Sequence, residues 1–394
     1  MLDMTNAPTF SRRSILNRSA YGIGGIALAT LLQEQGLLAT TERATAQHFD
    51  LKPKAPHGFG QAKAMISMFM QGGPSQIDMF DPKPELTKRD GQRAQIDTFN
   101  GSPGPLMKSP FSFRQYGQSG AWVCEKYPNV ARHVDDFAFI KSLYSESNDH
   151  VPALYQINTG IARPGFPSAG AWITYGLGSE SQNLPGYVVL GNNQGVKGGP
   201  LNWSAGFLPT SYQGTLFRSS GAPILNLNRP EGVSLDDQRA QLDFLKQANS
   251  EHMRSREGEP DLLARIQSFE LAYRMQTEAP EVFDISKESE ATRARYGDHD
   301  FGRGCLMALR LAERGVRMTQ VYFGNFQPWD SHDDIRIHAK LAQAADGPIA
   351  SLIEDLKLRG MFEDTLLIIG SEFGRTPMIQ NSGLERVGNG RDHN

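Results

Sequence analysis

Short, mostly uncharged aliphatic runs alternate along the chain with longer stretches in which apolar side chains return every three or four positions. The runs are Met65–Met70, Phe137–Leu143, Tyr187–Leu190, Val316–Phe323 and Leu366–Gly370. All five read as strands, and Leu366–Gly370, with no polar alternation, reads as one buried on both faces, as in the middle of a parallel sheet. Helices are predicted over Pro152–Asn158, Ser168–Tyr175, 234–248 and 259–276, the last with Leu262, Ile266, Phe269 and Tyr273 on one face. Two further stripes run Phe301, Cys305, Leu309, Ala312 and Leu341, Ala345, Ile349, Leu352, Leu356, closed by Gly315 and Gly360. Thr159-Gly160 puts glycine in the capping place of the first helix. Residues 81–120 show no sustained period and predict an irregular excursion. Strand–helix–strand order at both ends predicts an α/β fold, a mostly parallel sheet with helices on both faces.

Composition changes this little. Of 394 residues, 39% are hydrophobic and 21% charged, which suits one large α/β domain or two smaller ones. A formal net charge of −3 gives no reason to expect nucleic acid or an anionic membrane as partner. Cys124 and Cys305 have no metal or redox spacing and either pair in an oxidising compartment or sit as small buried apolar groups.

The N-terminus says more. Ser11-Arg12-Arg13-Ser14 precedes a moderately apolar run from Ala20 to Leu32 and a small-residue site at Ala44-Thr45-Ala46. That order reads as a signal peptide over 1–46, twin-arginine by its paired arginines, with an amphipathic first helix as the plainer alternative. The run is too short and glycine-rich to span a membrane, so no transmembrane segment is expected in the mature chain. Export to the periplasm or cell surface is expected, with polar residues 47–63 as a linker into a domain over 64–394.

Candidate chemistry collects where the predicted strands stop, the place where open α/β sheets hold their ligands. After Met70, Gln71-Gly72-Gly73-Pro74 leads to Ser75, Asp78 and Asp81, either an anion-binding turn or a Gly-Pro turn with solvated acids. After Leu143, Asn148, Asp149 and His150 open a helix, as an oxyanion site or as a plain N-cap. After Phe323, Asp330 and His332 offer oxygen plus imidazole, suited to zinc or another transition ion, with helix capping as the alternative. After Gly370 come Ser371, Glu372, Phe373, Gly374 and Arg375, whose carboxylate is a metal ligand or a salt-bridged loop acid. Arg391, Asp392 and His393 are weak alone. Convergence of three histidines with several carboxylates favours a metal-dependent hydrolytic site.

These segments, GGPSQIDMFDPKP, His150 to Thr159-Gly160, WDSH, SEFGRTP and GRDH, together resemble an exported bacterial family, domain-of-unknown-function family 1501. The resemblance covers Met65 to the last residue and implies the alkaline phosphatase and sulfatase superfamily, with its α/β/α sandwich and metal ligands at strand ends. Against the sulfatase pattern, His150, Pro152, Thr159 and Gly160 occupy the nucleophile segment, so His150 stands where sulfatases carry cysteine. Formylglycine chemistry is thereby excluded. Glu372 replaces a ligating aspartate, Phe373 sits at a ligand place, Asp330 and His332 resemble the superfamily's metal pair, and His393 its late histidine. Asp78 substitutes for the first-strand aspartate. The family continues past the position of Asn394, so the domain is expected to be incomplete at its C-terminal end.

The reading is an exported metal-dependent hydrolase of sulfate or phosphate esters. One or two divalent ions (zinc, calcium or manganese) are expected on Asp330, His332, Glu372 and His393, with Asp78 as a fifth ligand. His150 would be nucleophile or ligand, and Arg375 and Arg391 would clamp the small anionic ester or sulfated glycan. The rival reading is a catalytically inactive binding protein for anionic glycans. A third, a serine esterase using Ser75 with His150, lacks a G-x-S-x-G motif.

Overall fold

Four of the five predicted runs are strands of one sheet, and the helices between them cover it. The computed structural model describes residues 51–56, 58, 60–95, 103–191, 195–224, 227, 229–254, 260–380 and 389–393. The signal-peptide segment therefore lies outside the described residues. In chain order the strands are β1 (Ala64–Phe69), β2 (Pro103–Leu106), β3 (Phe113–Tyr116), β4 (Ala121–Cys124), β5 (Tyr187–Gly191), β6 (Thr215–Arg218), β7 (Met318–Tyr322), β8 (Thr365–Gly370), β9 (Arg375–Gln380) and β10 (Arg391–His393). The longer helices are α1 (His150–Thr159), α2 (Ala169–Leu177), α3 (Leu235–Arg254), α4 (Pro260–Phe283), α5 (Glu290–Tyr296), α6 (Asp300–Glu313) and α7 (His338–Leu358).

The main sheet runs β6-β5-β7-β1-β8 and every pairing in it is parallel, with Ile66 opposite Thr319 on one side and Leu367 on the other. Side chains alternate between two cores. Ile66 and Met68 point into a cluster with Leu309 of α6 and Ile349 and Leu352 of α7, whereas Phe69 joins Leu154 of α1, Tyr187, Val189 and Tyr322. The result is an α/β fold with helices on both faces, compatible with a three-layer sandwich. Among its buried polar groups, Tyr187 donates to Gln320 at 2.8 Å and Gln320 donates to Asn158 at 2.8 Å. Leu51 and Lys54, expected as linker, bond the end of α2 through Lys54 N to Leu177 O (2.9 Å) and Ser179 N to Leu51 O (2.8 Å).

Three expectations are corrected. Phe137–Leu143 is not a strand. Phe137 and Phe139 stack at 5.5 Å and Phe139 leans on Phe80 at 5.8 Å, while Ile140 and Leu143 are exposed. The apolar residues are used for ring packing, and the backbone has no neighbouring ladder. β8 is an edge strand among the described residues, bonded to β1 alone, with Leu366 49% and Ile368 40% exposed. Its continuous apolar character therefore does not mark a central position. Residues 81–120 are not irregular throughout: they hold a turn of helix at Pro84–Lys88, β2, and a hairpin pairing Phe113 with Cys124 and Tyr116 with Ala121. Those strands are four residues long, too short for a periodicity window to register.

Directly past β8, β9 pairs antiparallel with both β10 and β2. This small sheet folds Arg391–His393 back toward the carboxyl edge of the main one.

Candidate metal centre

Three loops, one helix start and strand β10 meet at that edge. The turn after β1 packs so closely on the loop after β7 that a Cβ on Gly72 would lie 2.5 Å from the Asp330 nitrogen; at φ +106° only glycine serves there. Gln71 holds the second loop from both sides, accepting from Trp329 N at 3.1 Å and donating to Gly324 O at 3.1 Å. Asp149 caps α1 by accepting from Val151 N at 3.0 Å, which fixes His150 in the first turn. β8 delivers Glu372 and β10 delivers His393.

Asp330 is the hub. Its Oδ2 lies 3.1 Å from His150 Nε2, and its Oδ1 lies 2.8 Å from His332 Nε2, 3.2 Å from His393 Nε2 and 2.8 Å from Arg375 Nη2. The Nε2 atoms of His332 and His393 are 3.2 Å apart. On two of the three rings the opposite nitrogen is taken: His150 Nδ1 lies 2.7 Å from Glu372 Oε1, and His393 Nδ1 lies 2.7 Å from the Asn148 carbonyl. Glu372 is held in turn by Gly72 N (2.9 Å) and the Ser371 hydroxyl (2.6 Å).

This pattern dictates the tautomers. A carboxylate and a carbonyl only accept, so the Nδ1 of His150 and of His393 carries the proton, and each neutral ring then turns a lone pair on Nε2 inward. Those lone pairs face one another and a carboxylate. His150 Nε2 is buried with no hydrogen bond of good geometry, although it lies within ion-pair distance of Asp330. Ligand atoms of His150, Asp330 and His393 all lie within 4.8 Å of one another. Acceptors crowded in this way call for a cation. The outer partners are those that orient metal-binding imidazoles, and three nitrogens with one oxygen suit zinc or a similar transition ion better than calcium. The residues present fit such an ion.

In the ion-free protein, protons take the place that a cation would hold. Burial would lift the Asp330 carboxyl, but hydrogen bonds from His150, His332, His393 and Arg375 hold it far below the usual carboxylate range. Burial opposes protonation of His150, yet its bonds to Asp330 and Glu372 outweigh that and raise it. Burial dominates at His393 and, with Arg375 and His150 nearby, lowers it.

The other predicted residues stand differently. Arg375 is buried and cross-links the loops, donating to Gly73 O at 2.7 Å, Arg391 O at 3.0 Å, Gly72 O and Asp330. Arg391 is buried against Asp78, at 2.6 Å and 3.0 Å, and Ser75 donates to the same carboxylate at 2.5 Å. The anion clamp expected of the two arginines is therefore corrected: both guanidiniums are turned into the protein. Ser75, Asp78 and Arg391 form a knot of their own, whose ion pair is fully enclosed. Glu372 stands behind His150 on its far nitrogen. Phe373 lies 4.6 Å from the rings of both His150 and His393 and walls that side with hydrocarbon. The Asn148 carbonyl and the Ser371 hydroxyl were not foreseen in these roles. No signal marks a backbone acceptor, whereas Ser371 stood in view within SEFG.

A histidine-rich, aspartate-centred cluster at the carboxyl edge of a parallel sheet makes this a candidate metal-binding α/β protein. The family model described as "Protein of unknown function (DUF1501)" matches residues 62–394, and the chain belongs to that family. No curated protein matches it, and no solved structure does. Cys124 and Cys305 are free and buried, and burial first pushes the Cys124 thiol up to about 11. No helix among the described residues is long and apolar enough to cross a membrane.

Proposed function

We propose that the protein is an exported, metal-dependent hydrolase of phosphate or sulfate esters. Its single ion would be held by His150, Asp330, His332 and His393, with zinc the best fit. The observation that carries this is the inward convergence of imidazole lone pairs on Asp330 while Glu372 and the Asn148 carbonyl occupy the outer nitrogens. When bound, the ion would supply Lewis acidity toward the ester oxygen at neutral pH. The chain does the rest. Glu372 keeps His150 in one tautomer, Arg375 fixes the Asp330 carboxylate, and Phe373 excludes water behind the two inner rings. The ester would enter on the His332 side, where the side chain is 32% exposed against 5% for His150 and 7% for His393. The wall at Phe373 favours one ion over two. The paired arginines near the N-terminus support the proposed location, periplasm or cell surface.

One observation favours the inactive binding protein as second reading: Ser75, Arg375 and Arg391 are all turned away, so no hydroxyl and no arginine from the predicted set faces a substrate. Metal analysis of the purified chain followed by a panel of phosphate and sulfate esters separates the two. Bound zinc with turnover that His332→Ala abolishes supports the hydrolase. Bound zinc without turnover, together with retention on a sulfated glycan, supports the binding protein.

A further inference from the structure

The loop that carries Asp330 holds an anomaly the metal centre does not use. Phe326 sits at φ +51° and is the one non-glycine residue with positive φ among those described. Every other such position, including Gly324 two residues earlier, is glycine. A bulky side chain in this region is disfavoured by contact of its Cβ with the backbone, and the cost persists only where the surroundings hold it. Here they do: Phe326 is bridged in parallel to Val196, and Gln327 O accepts from Asp330 N at 3.0 Å. Yet the ring gains no burial in return, for Phe326 is 54% exposed. Backbone outliers of this kind cluster at active sites and ligand clamps. Beside it, Lys197 donates to the Gln327 side chain and has no carboxylate partner among the described residues. The loop that leads into Asp330 thus carries an exposed aromatic ring and, through Gln327, holds a lysine.

We propose that Phe326 is a specificity-determining residue, a platform on which a six-membered ring of the substrate lies flat while its ester anion reaches the metal centre. The proposal rests on the ester-hydrolase reading and narrows its substrates to esters whose alcohol side is a flat-faced ring. An aryl ring and a pyranose share this chemistry. Aromatic contacts are worth enough to change affinity roughly tenfold.

Phe326→Gly relieves the backbone and removes the ring; Phe326→Trp keeps a ring. The zinc-loaded protein and both variants are assayed on phenyl phosphate, glucose 1-phosphate and ethyl phosphate. Phe326→Gly should melt higher than the parent while raising KM about tenfold for the ring esters, with kcat and the ethyl ester little changed. Phe326→Trp should keep the parent preference. Loss on phenyl phosphate alone identifies an aryl substrate, and loss on glucose 1-phosphate alone a glycosyl one. A ring-to-ethyl ratio that stays within about twofold in Phe326→Gly overturns the platform. Calorimetry with phenylphosphonate and methylphosphonate keeps the two readings apart. If the parent turns over no ester but binds phenylphosphonate more tightly, and Phe326→Gly erases the difference, hydrolysis fails and the platform stands. Equal binding of the two phosphonates by the parent overturns the platform regardless of turnover.

Discussion

Glu372 and His150 show how far residue types alone carry a reading. Both were in view at strand ends, but which one touches the ion depends on which ring nitrogen faces which neighbour, and that is a matter of angles. Placed behind His150, Glu372 becomes the group that sets the tautomer. Glu372→Gln keeps the shape but offers an amide that can turn its NH2 to Nδ1 and reverse the ring's protonation. Zinc affinity should fall by about 10- to 100-fold, read by chelator competition, with the fold retained by circular dichroism. Arg375 is a second case. Charge and position suggested an anion clamp; burial shows a brace joining four segments. Arg375→Ala leaves Asp330 without its cation and several carbonyls without a donor, and should destabilise the apoprotein by about 3–5 kcal/mol in urea. A loss under 1 kcal/mol would contradict that role.

Among elements, the parallel strands and amphipathic helices were legible because each repeats its pattern over enough residues to be counted. α6 and α7 carry the predicted stripes, and Gly315 and Gly360 follow them at φ +80° and +68°. What stayed hidden depends on neighbours. Among the described residues, β8 reads like β1 but lies at the edge, and Phe137–Leu143 reads like β5 but pairs with no strand. The contact that positions the segment before the site is likewise non-local. Asp346, buried in α7, accepts from Asn129 N (3.0 Å), Val130 N (2.7 Å) and Asn129 Nδ2 (2.7 Å), capping the short helix Val130–Asp136. Nothing near residue 346 announces a cap for residue 130. Asp346→Ala orphans two backbone N–H groups and should cost about 2–3 kcal/mol, whereas Asp346→Asn should recover part of it. Equal losses in the two variants would mean that packing, not the cap, is what α7 supplies there.

For the whole molecule, acid should be felt through a residue outside the metal centre. His338 opens α7, fully buried and edge-on to Trp329 at 5.1 Å. Burial first, and then the nearby Arg375 charge, push its imidazole down to about 3. An unfolded histidine takes up its proton near pH 6.5, so below that the unfolded chain binds a proton the native one refuses. Stability from this group is complete above pH 6.5 and drains away as pH falls toward 3, by about 1.4 kcal/mol per unit. In chelated protein, His338→Phe should flatten the parent's loss between pH 6.5 and 5 by about 2 kcal/mol. Parallel curves for parent and variant would rule the residue out as the acid sensor.

His393 and its carbonyl partner Asn148 are 245 residues apart, and His150, Asp330 and His393 reach the centre on three different segments. An ion seated among them would act as a rivet closing two very large loops at once. A nascent chain leaving the ribosome could thus not grip its metal until the final ligand had emerged. Loading would certify that these distant segments had met, and a cut ahead of β10 would release the metal before it unravelled the sheet.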